Sequence, residues 1–315
     1  MEKAGASKAH VDGQAVVPGV STSISSSRGL LLIAALLAGN VALALGPMLV
    51  RMTDTGPVSA AFWRLFLALP FLVIFARLAR QRIGGMPRKT LVLVAIGALA
   101  FAGDLASWHI GIEKTRLGNA TLFGNAGSII LLFWGFIVAR MLPRGAEWLA
   151  IVCALAGASI LMGRSLEIST QTFVGDLFCV TAGLLYAVYL ITLQGERSKR
   201  EGVGFGSWSL LVWVSLFACP ALLALAVALG EPVWPTDWTP IVVLFVTSQL
   251  IGQGLLVYSL GHFPPLIIGL ALLTQPAVAA VIGWSVFNEV LSLTDIAGMV
   301  LLGSALVVAK RSQAP

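Results

Sequence analysis

Ten apolar stretches divide this chain, and their length decides what it can fold into. They run from Leu30 to Val50, Val58 to Ala76, Leu91 to Ile110, Ala120 to Ala139, Ala146 to Met162, Val174 to Thr192, Ser209 to Leu229, Ile241 to Leu260, Leu266 to Phe287 and Leu293 to Ala309. About 20 apolar residues in a helix match the hydrocarbon thickness of a bilayer. Lipid offers no partner to a backbone N–H or C=O, so a stretch of this kind must satisfy its own ladder as a helix. The chain is 58% hydrophobic and 11% charged, against about 25% charged in soluble domains. The expectation is an all-α polytopic membrane protein with ten transmembrane helices, of which the fifth and tenth are the shortest.

The charged residues sit between the apolar stretches. A formal charge of +6 could point to nucleic acid, but the cations form no continuous basic face, so they read as topology signals and the partner surface is the lipid bilayer. With the amino terminus cytoplasmic, 15 Lys and Arg fall on the inner side, among them Arg77, Arg80, Arg82, Arg88 and Lys89, and 4 fall outside (Arg51, Lys114, Arg116, Arg164). That imbalance puts both termini in the cytoplasm. Residues 1–28 are small and polar without an early apolar core, which predicts a disordered cytoplasmic tail rather than a signal peptide. Cys153, Cys179 and Cys219 lie far apart inside apolar stretches, as free buried thiols do.

Half of the chain repeats the other half. At an offset of 150 residues Trp63 meets Trp213, Pro70 meets Pro220, Trp108 meets Tyr258, Gly111 meets Gly261, Asn125 meets Gln275 and Trp134 meets Trp284; with a small shift Gly157 meets Gly303. Residues 29–165 and 172–311 are therefore read as two five-helix repeats. Five crossings per copy is an odd number, so the second copy enters the bilayer upside down, and the pair is inverted. Such a pair can exchange two asymmetric arrangements around a central site.

Polar residues inside the spans mark where that site should be, because an ionisable or amide group in lipid is costly unless it is paired or faces water. Arg64 and Asp104 both lie about six residues from the outer end of their spans, roughly 9 Å deep at 1.5 Å per residue. They are expected to pair, either as a fixed bridge between the second and third helices or as groups that meet a zwitterion. Asp104, Trp108 and Gly111 share one helix face, on which Trp108 either lines the cavity or anchors at the interface; His109 lies off it. Asn40, Asn125, Gln249, Gln253 and Gln275 are mid-span amides that either join helices or offer donors and acceptors to a solute. Gln249 and Gln253, one turn apart, should form one polar stripe. Tyr186, with Tyr189 one turn on, and Trp213 supply aromatic walls or packing. Pro276 is the expected hinge, and Gly111 and Gly261 the expected points of close approach in gating. Small residues in the fifth span (Ala150, Ala154, Gly157, Ala158) and the tenth (Ala297, Gly298, Gly303, Ala305) suit a packing or homodimer surface. Asn119-Ala120-Thr121 matches a glycosylation sequon but opens a predicted span.

The order of several short motifs resembles the EamA-type exporters of the drug/metabolite transporter superfamily. These are Ala38-Gly39-Asn40, Phe62-Trp63-Arg64-Leu65, Gly175-Asp176-Leu177 with Leu185-Tyr186-Ala187, and Asn288-Glu289-Val290-Leu291-Ser292 leading to Gly298. The resemblance covers residues 29–310 and within the superfamily is strongest to the bacterial YddG group of amino-acid exporters. It implies a bacterial inner-membrane protein in which spans one to four and six to nine ring a central cavity, with spans five and ten outside. It implies export of small metabolites, amino acids foremost, without a cofactor. Ala38 stands where that group usually has Trp, so the aromatic set is incomplete, and a multidrug or organic-cation exporter is the alternative. An intramembrane enzyme would need a His-Glu-x-x-His pair, a Gly-x-Ser-x-Gly elbow or a phosphate-binding loop, and the sequence holds none. The glycines from Gly202 to Gly206 read as a flexible linker, and a ten-span scaffold would have little loop surface for partners.

Overall fold

A computed structural model describes residues 26–115, 117–140, 142–163, 170–199, 205–287, 290 and 292–312, and these are helical throughout apart from their links, with no strand. Eight helices are long and apolar enough to cross a membrane, with two shorter apolar ones, Gly145–Leu161 and Pro265–Val278. Long apolar side chains such as Leu31, Ile74, Ile96, Val138 and Val300 stand exposed on the outside of the bundle. A continuous apolar exterior of this kind suits lipid and not water.

In chain order α1 (Ser26–Ala44) and α2 (Gly46–Arg51) make the first span, α3 (Pro57–Leu78) the second and α4 (Arg88–Lys114) the third. The fourth is α5 (Leu117–Gly124) with α6 (Ala126–Ala139), and α7 (Gly145–Gly163), α8 (Phe173–Arg197) and α9 (Ser207–Ala228) follow. The eighth is α10 (Thr239–Leu244), a π-helical stretch (Phe245–Gln253) and α11 (Gly254–Ser259). Then come α12 (Pro265–Leu272), α13 (Gln275–Phe287) and α14 (Leu293–Ser312).

Four stretches read as single spans are interrupted. The first breaks at Leu45, where Pro47 in the first turn of α2 has no N–H to continue the ladder from α1. The ninth breaks at Leu273 and Thr274, ahead of Pro276, so this proline opens a new helix instead of bending one that runs through it. The fourth breaks at Asn125, whose Nδ2 donates to Thr121 O at 2.7 Å. The eighth widens into π geometry beside the closest approach of α1, where a Cβ on Gly39 would lie 2.9 Å from Leu255 Cβ and 3.2 Å from Gly252 O. Widened or broken helices recur at functional sites.

α3 and α9 clasp each other reciprocally. Trp63 Nε1 donates to Val233 O at 2.6 Å, just past the end of α9, and Trp213 Nε1 donates to Ile83 O at 2.8 Å, just past the end of α3. The N–H of Ser59 is taken by Glu231 Oε2 at 2.8 Å, and that of Ser209 by Gln81 Oε1 at 3.1 Å. Each helix is followed by a residue at positive φ, Arg80 at 52° and Gly230 at 69°. Each residue of one contact has its equivalent 150 positions away in the other, and each helix start meets the other helix's end, so α3 and α9 run antiparallel.

The remaining helices form two groups. α1 packs on the Thr239–Ser259 helix and on α12 and α13, and α2 packs on α10. α8 packs on α4, α5 and α6. α3 and α9 lie against both groups. α7 and α14 pair outside them through their small faces, where a Cβ on Gly157 would sit 2.7 Å from Gly298 O. Ala150, Ala154, Gly157, Ala158, Gly298 and Ala305 are buried within the chain, which is the packing reading, while Ala297 and Gly303 stay exposed. Asn119 is fully buried and its Nδ2 donates to Asp176 at 3.0 Å, so the sequon is an interior hydrogen bond. The amino-terminal tail, Arg116, Arg164, the Asn288-Glu289 motif and residues 202–204 lie outside the described residues.

Candidate functional site

Between the two groups lies a cavity lined by α1 and α2 (Leu43, Ala44, Pro47), α3 (Arg64), α4 (Phe101, Asp104, Leu105, Trp108), the fourth span (Thr121, Gly124, Asn125, Ser128), α8 (Tyr186), the eighth span (Gln253) and the ninth (Leu272, Gln275). Its free volume, counted for the centres of water-sized spheres, is about 80 Å³, several times the roughly 10–15 Å³ that one water needs. Polar groups and volume together make this a wet site inside an otherwise apolar bundle.

Seven of the sequence-predicted residues meet there: Arg64, Asp104, Trp108, Asn125, Tyr186, Gln253 and Gln275. The expected ion pair does not form. No Arg64 nitrogen lies within 4.0 Å of an Asp104 oxygen, and neither side chain makes a hydrogen bond among the described residues, although they are only 2% and 8% exposed. Arg64 Nε is buried without a partner. The two groups approach the cavity from different helices, α3 and α4, so an opening intervenes where a bridge was expected.

Around these charges the walls are fixed. Gln253 accepts from Tyr189 Oη at 3.3 Å and donates to Tyr186 Oη at 3.1 Å, which ties the eighth span to α8 below the cavity. Phe101 stacks on Tyr189 with centroids 4.3 Å apart. Trp108 takes the lining role and not the interfacial one: Gly46 and Gly124 each leave room for its indole, where a Cβ would come within 3.0 Å of the ring. His109 beside it is fully buried and donates Nδ1–H to Pro57 O at 2.9 Å, with Nε2 unpartnered.

The other predicted residues are elsewhere. Asn40 is off the cavity, and its Nδ2 donates to Ala271 O at 2.9 Å and Thr274 Oγ1 at 2.7 Å, holding α1 to the break in the ninth span. The stripe of Gln249 and Gln253 is not one surface. Gln249 is fully buried with both polar atoms unpartnered, since its stretch packs on α1 and α3, and only Gln253 reaches the cavity. Gly111 is buried against α8, where a Cβ would lie 3.0 Å from Gly175 O. Gly261 follows α11, and a Cβ there would come 2.6 Å from the Arg197 guanidinium. Trp213 serves the α9 clasp and lines nothing here.

Sequence reasoning missed Thr121, Ser128 and Pro47 in the lining, and the fact that α6 and α13 both begin at the cavity. The available signal was Asn125 and Gln275 at equivalent places beside Gly124 and Thr274, residues that favour a helix start over a helix interior.

Comparison with known proteins places this architecture. The solved crystal structure of another protein superposes with a TM-score of 0.68 at 18% identity, covering 90% of this chain and 98% of that one. The threonine/homoserine exporter RhtA of Escherichia coli (strain K12) is 23% identical over 258 residues, 78% of this chain and 82% of the relative. An uncharacterized transporter of Archaeoglobus fulgidus is 24% identical over 269 residues, 83% of this chain and 90% of the relative. The EamA-like transporter family matches residues 28–163 and 173–310. With its ring of apolar helices around a polar cavity, the chain belongs to the EamA-like transporter family of the drug/metabolite transporter superfamily.

Proposed function

We propose that this protein is a secondary-active exporter of small zwitterionic metabolites, amino acids foremost, working by alternating access in the bacterial inner membrane. One observation carries the reading: a cavity lined by a buried arginine and a buried aspartate that make no ion-pair contact or hydrogen bond with each other. An unpaired buried charge is strongly disfavoured, so each needs a counter-charge from the solute. A zwitterion supplies both, its carboxylate toward Arg64 and its ammonium toward Asp104. The half-helices α6 and α13 start at the lining residues Asn125 and Gln275, and the positive ends of their dipoles favour an anionic group there. RhtA, a relative, is an exporter of threonine and homoserine by its name, which agrees with a cargo of this class.

The reciprocal clasp of α3 and α9 supports two inverted five-helix repeats, 29–165 and 172–311, because helices at equivalent places run in opposite directions. On the positive-inside count the end carrying Arg51 faces outward and both termini are cytoplasmic. An organic-cation exporter is the alternative cargo class. Asp104, Trp108 and Tyr186 would suit a cation, but Arg64 in the same cavity repels one.

Counterflow in proteoliposomes tests this. Vesicles loaded with unlabelled neutral amino acids should accumulate a labelled amino acid transiently and saturably, and organic cations should not compete. Competition by cations without amino-acid flux would overturn the proposed cargo.

A further inference from the structure

The two helix groups that enclose the cavity are joined very differently at its two ends. At one end, beyond Trp108, a single side chain supplies the polar ties between them among the described residues. Arg51, the last residue of α2, donates through Nη2 to Ile112 O at 2.9 Å and Thr115 O at 2.7 Å, and through Nε to Ile112 O at 3.3 Å. At the other end the ties are several. Arg197 of α8 donates to Val257 O at 3.1 Å and Tyr258 O at 3.3 Å, Gln194 donates to Phe263 O at 3.1 Å, and Gln253 bridges to Tyr186 and Tyr189. There the apolar contact is also close, with a Cβ on Gly269 only 2.7 Å from Ser128 O.

The two arginines are counterparts. Each ends the first span of its half and donates to carbonyls at the end of the third span of that half, where a helix runs out of its own N–H donors. A cation is favoured at the negative end of a helix dipole. Each therefore crosses from one group to the other, at opposite ends of the cavity. Gly261 is what allows the reach on one side, since a side chain there would meet the Arg197 guanidinium.

We propose that Arg51 is the latch of the gate at its end of the cavity, and that Arg197 is the corresponding latch at the other end, where it is one of several ties. Resting on the transporter reading above, this makes the described arrangement one in which several polar ties close the Arg197 end, whereas at the Arg51 end one residue supplies the polar ties beside an apolar cluster of Leu49 and Val50 with Ile112 and Ala120. Opening toward the Arg51 end requires breaking its three hydrogen bonds, lifting α2 off Trp108 and parting Leu49 and Val50 from Ile112 and Ala120 in that apolar cluster.

The test is thiol labelling of the full chain in sealed membrane vesicles of both orientations. Ser128→Cys in the cavity wall is the reporter, the parent chain is the background control, and Asp237→Cys in an exposed loop marks the face at the Arg51 end. Arg51→Gln should speed labelling of the reporter by a membrane-impermeant maleimide about tenfold or more from the Asp237 face, the shift expected from losing a charge-assisted hydrogen bond. Arg51→Lys should restore part of the closure, because one cationic donor nitrogen remains in place of the guanidinium fork. Arg197→Gln should speed labelling from the opposite face by a smaller factor, since Gln194 and Gln253 still hold. Unchanged labelling in Arg51→Gln, or equal acceleration from both faces, would overturn the latch. No cargo is needed for this readout, so a labelling shift without amino-acid counterflow would leave the gate standing and remove the cargo reading. Flux with unmoved labelling would do the reverse.

Discussion

Neutralising Arg64 or Asp104 separates two kinds of buried charge by sign. If the two formed a structural bridge, removing one partner would strand the other and cost about 3–5 kcal/mol. In the structure they make no ion-pair contact, and neither side chain makes a hydrogen bond among the described residues. Asp104→Asn and Arg64→Met should therefore leave the thermal midpoint in detergent unchanged or raise it, because a desolvated charge is removed and no ion pair is broken. Binding should respond in the opposite way. Each charge-assisted hydrogen bond to a zwitterion contributes about 1.5–3 kcal/mol, so each variant should weaken affinity roughly 10- to 150-fold at 1.4 kcal/mol per decade. Melting curves and calorimetric titration of a neutral amino acid on the same preparations read both quantities. Single variants that melt several degrees lower, with stability recovered in the double variant or in the swap Arg64→Asp with Asp104→Arg, would establish a fixed bridge and refute the reasoning.

Two further substitutions probe the cavity wall and its support. Gln275 lines the cavity and makes no hydrogen bond among the described residues, so Gln275→Leu should abolish counterflow without moving the melting point; normal flux would take Gln275 out of the site. Asn125→Leu should lose both, since Asn125 also closes the break in its span through Thr121 O and Ser128. A Cβ on Gly183 would stand 2.9 Å from Gly124 O, 3.0 Å from Gly127 N and 3.1 Å from Phe123 O, all backbone atoms of the broken span. Gly183→Ala should cost about 1–3 kcal/mol of stability by overpacking, whereas Gly303→Ala, which would meet nothing within 4 Å, should be neutral or gain up to about 1 kcal/mol. Equal melting points for the two alanine variants would show that the α8 contact is not tight.

The spans were legible because lipid makes backbone hydrogen bonding local: each apolar stretch must be a helix, and its length is set by the bilayer. The interruptions were legible only in part. A proline at 47 or 276 announces a missing donor, but whether the helix bends through it or ends there depends on what satisfies the freed carbonyls, and that is tertiary. Asn40 shows the same limit for amides. Mid-span placement says that a polar group needs a partner, and it cannot distinguish a solute in the cavity from Ala271 O and Thr274 Oγ1 on a neighbouring helix. Gln253 and Gln249 sit one turn apart, yet Gln253 reaches the cavity and both α8 tyrosines while both polar atoms of Gln249 are buried without a partner.

The ion pair failed for a related reason, and the failure is informative. Equal depth in the bilayer is a one-dimensional fact, and it placed Arg64 and Asp104 at one level without fixing the distance across the bundle. What lies across the bundle is governed by which helices pack. The reciprocal bonds of Trp63 to Val233 and Trp213 to Ile83 fasten α3 to α9, while α4 packs chiefly on α8. The helix that carries Arg64 is thus committed to the opposite half, and the helix that carries Asp104 to a different member of it. α3 and α9 are held together at places 150 residues apart, and Arg64 and Asp104 reach the cavity from two different helices, α3 and α4. The clasp commits the helix carrying Arg64 to α9, while Arg64 and Asp104 face the same cavity without an ion-pair contact.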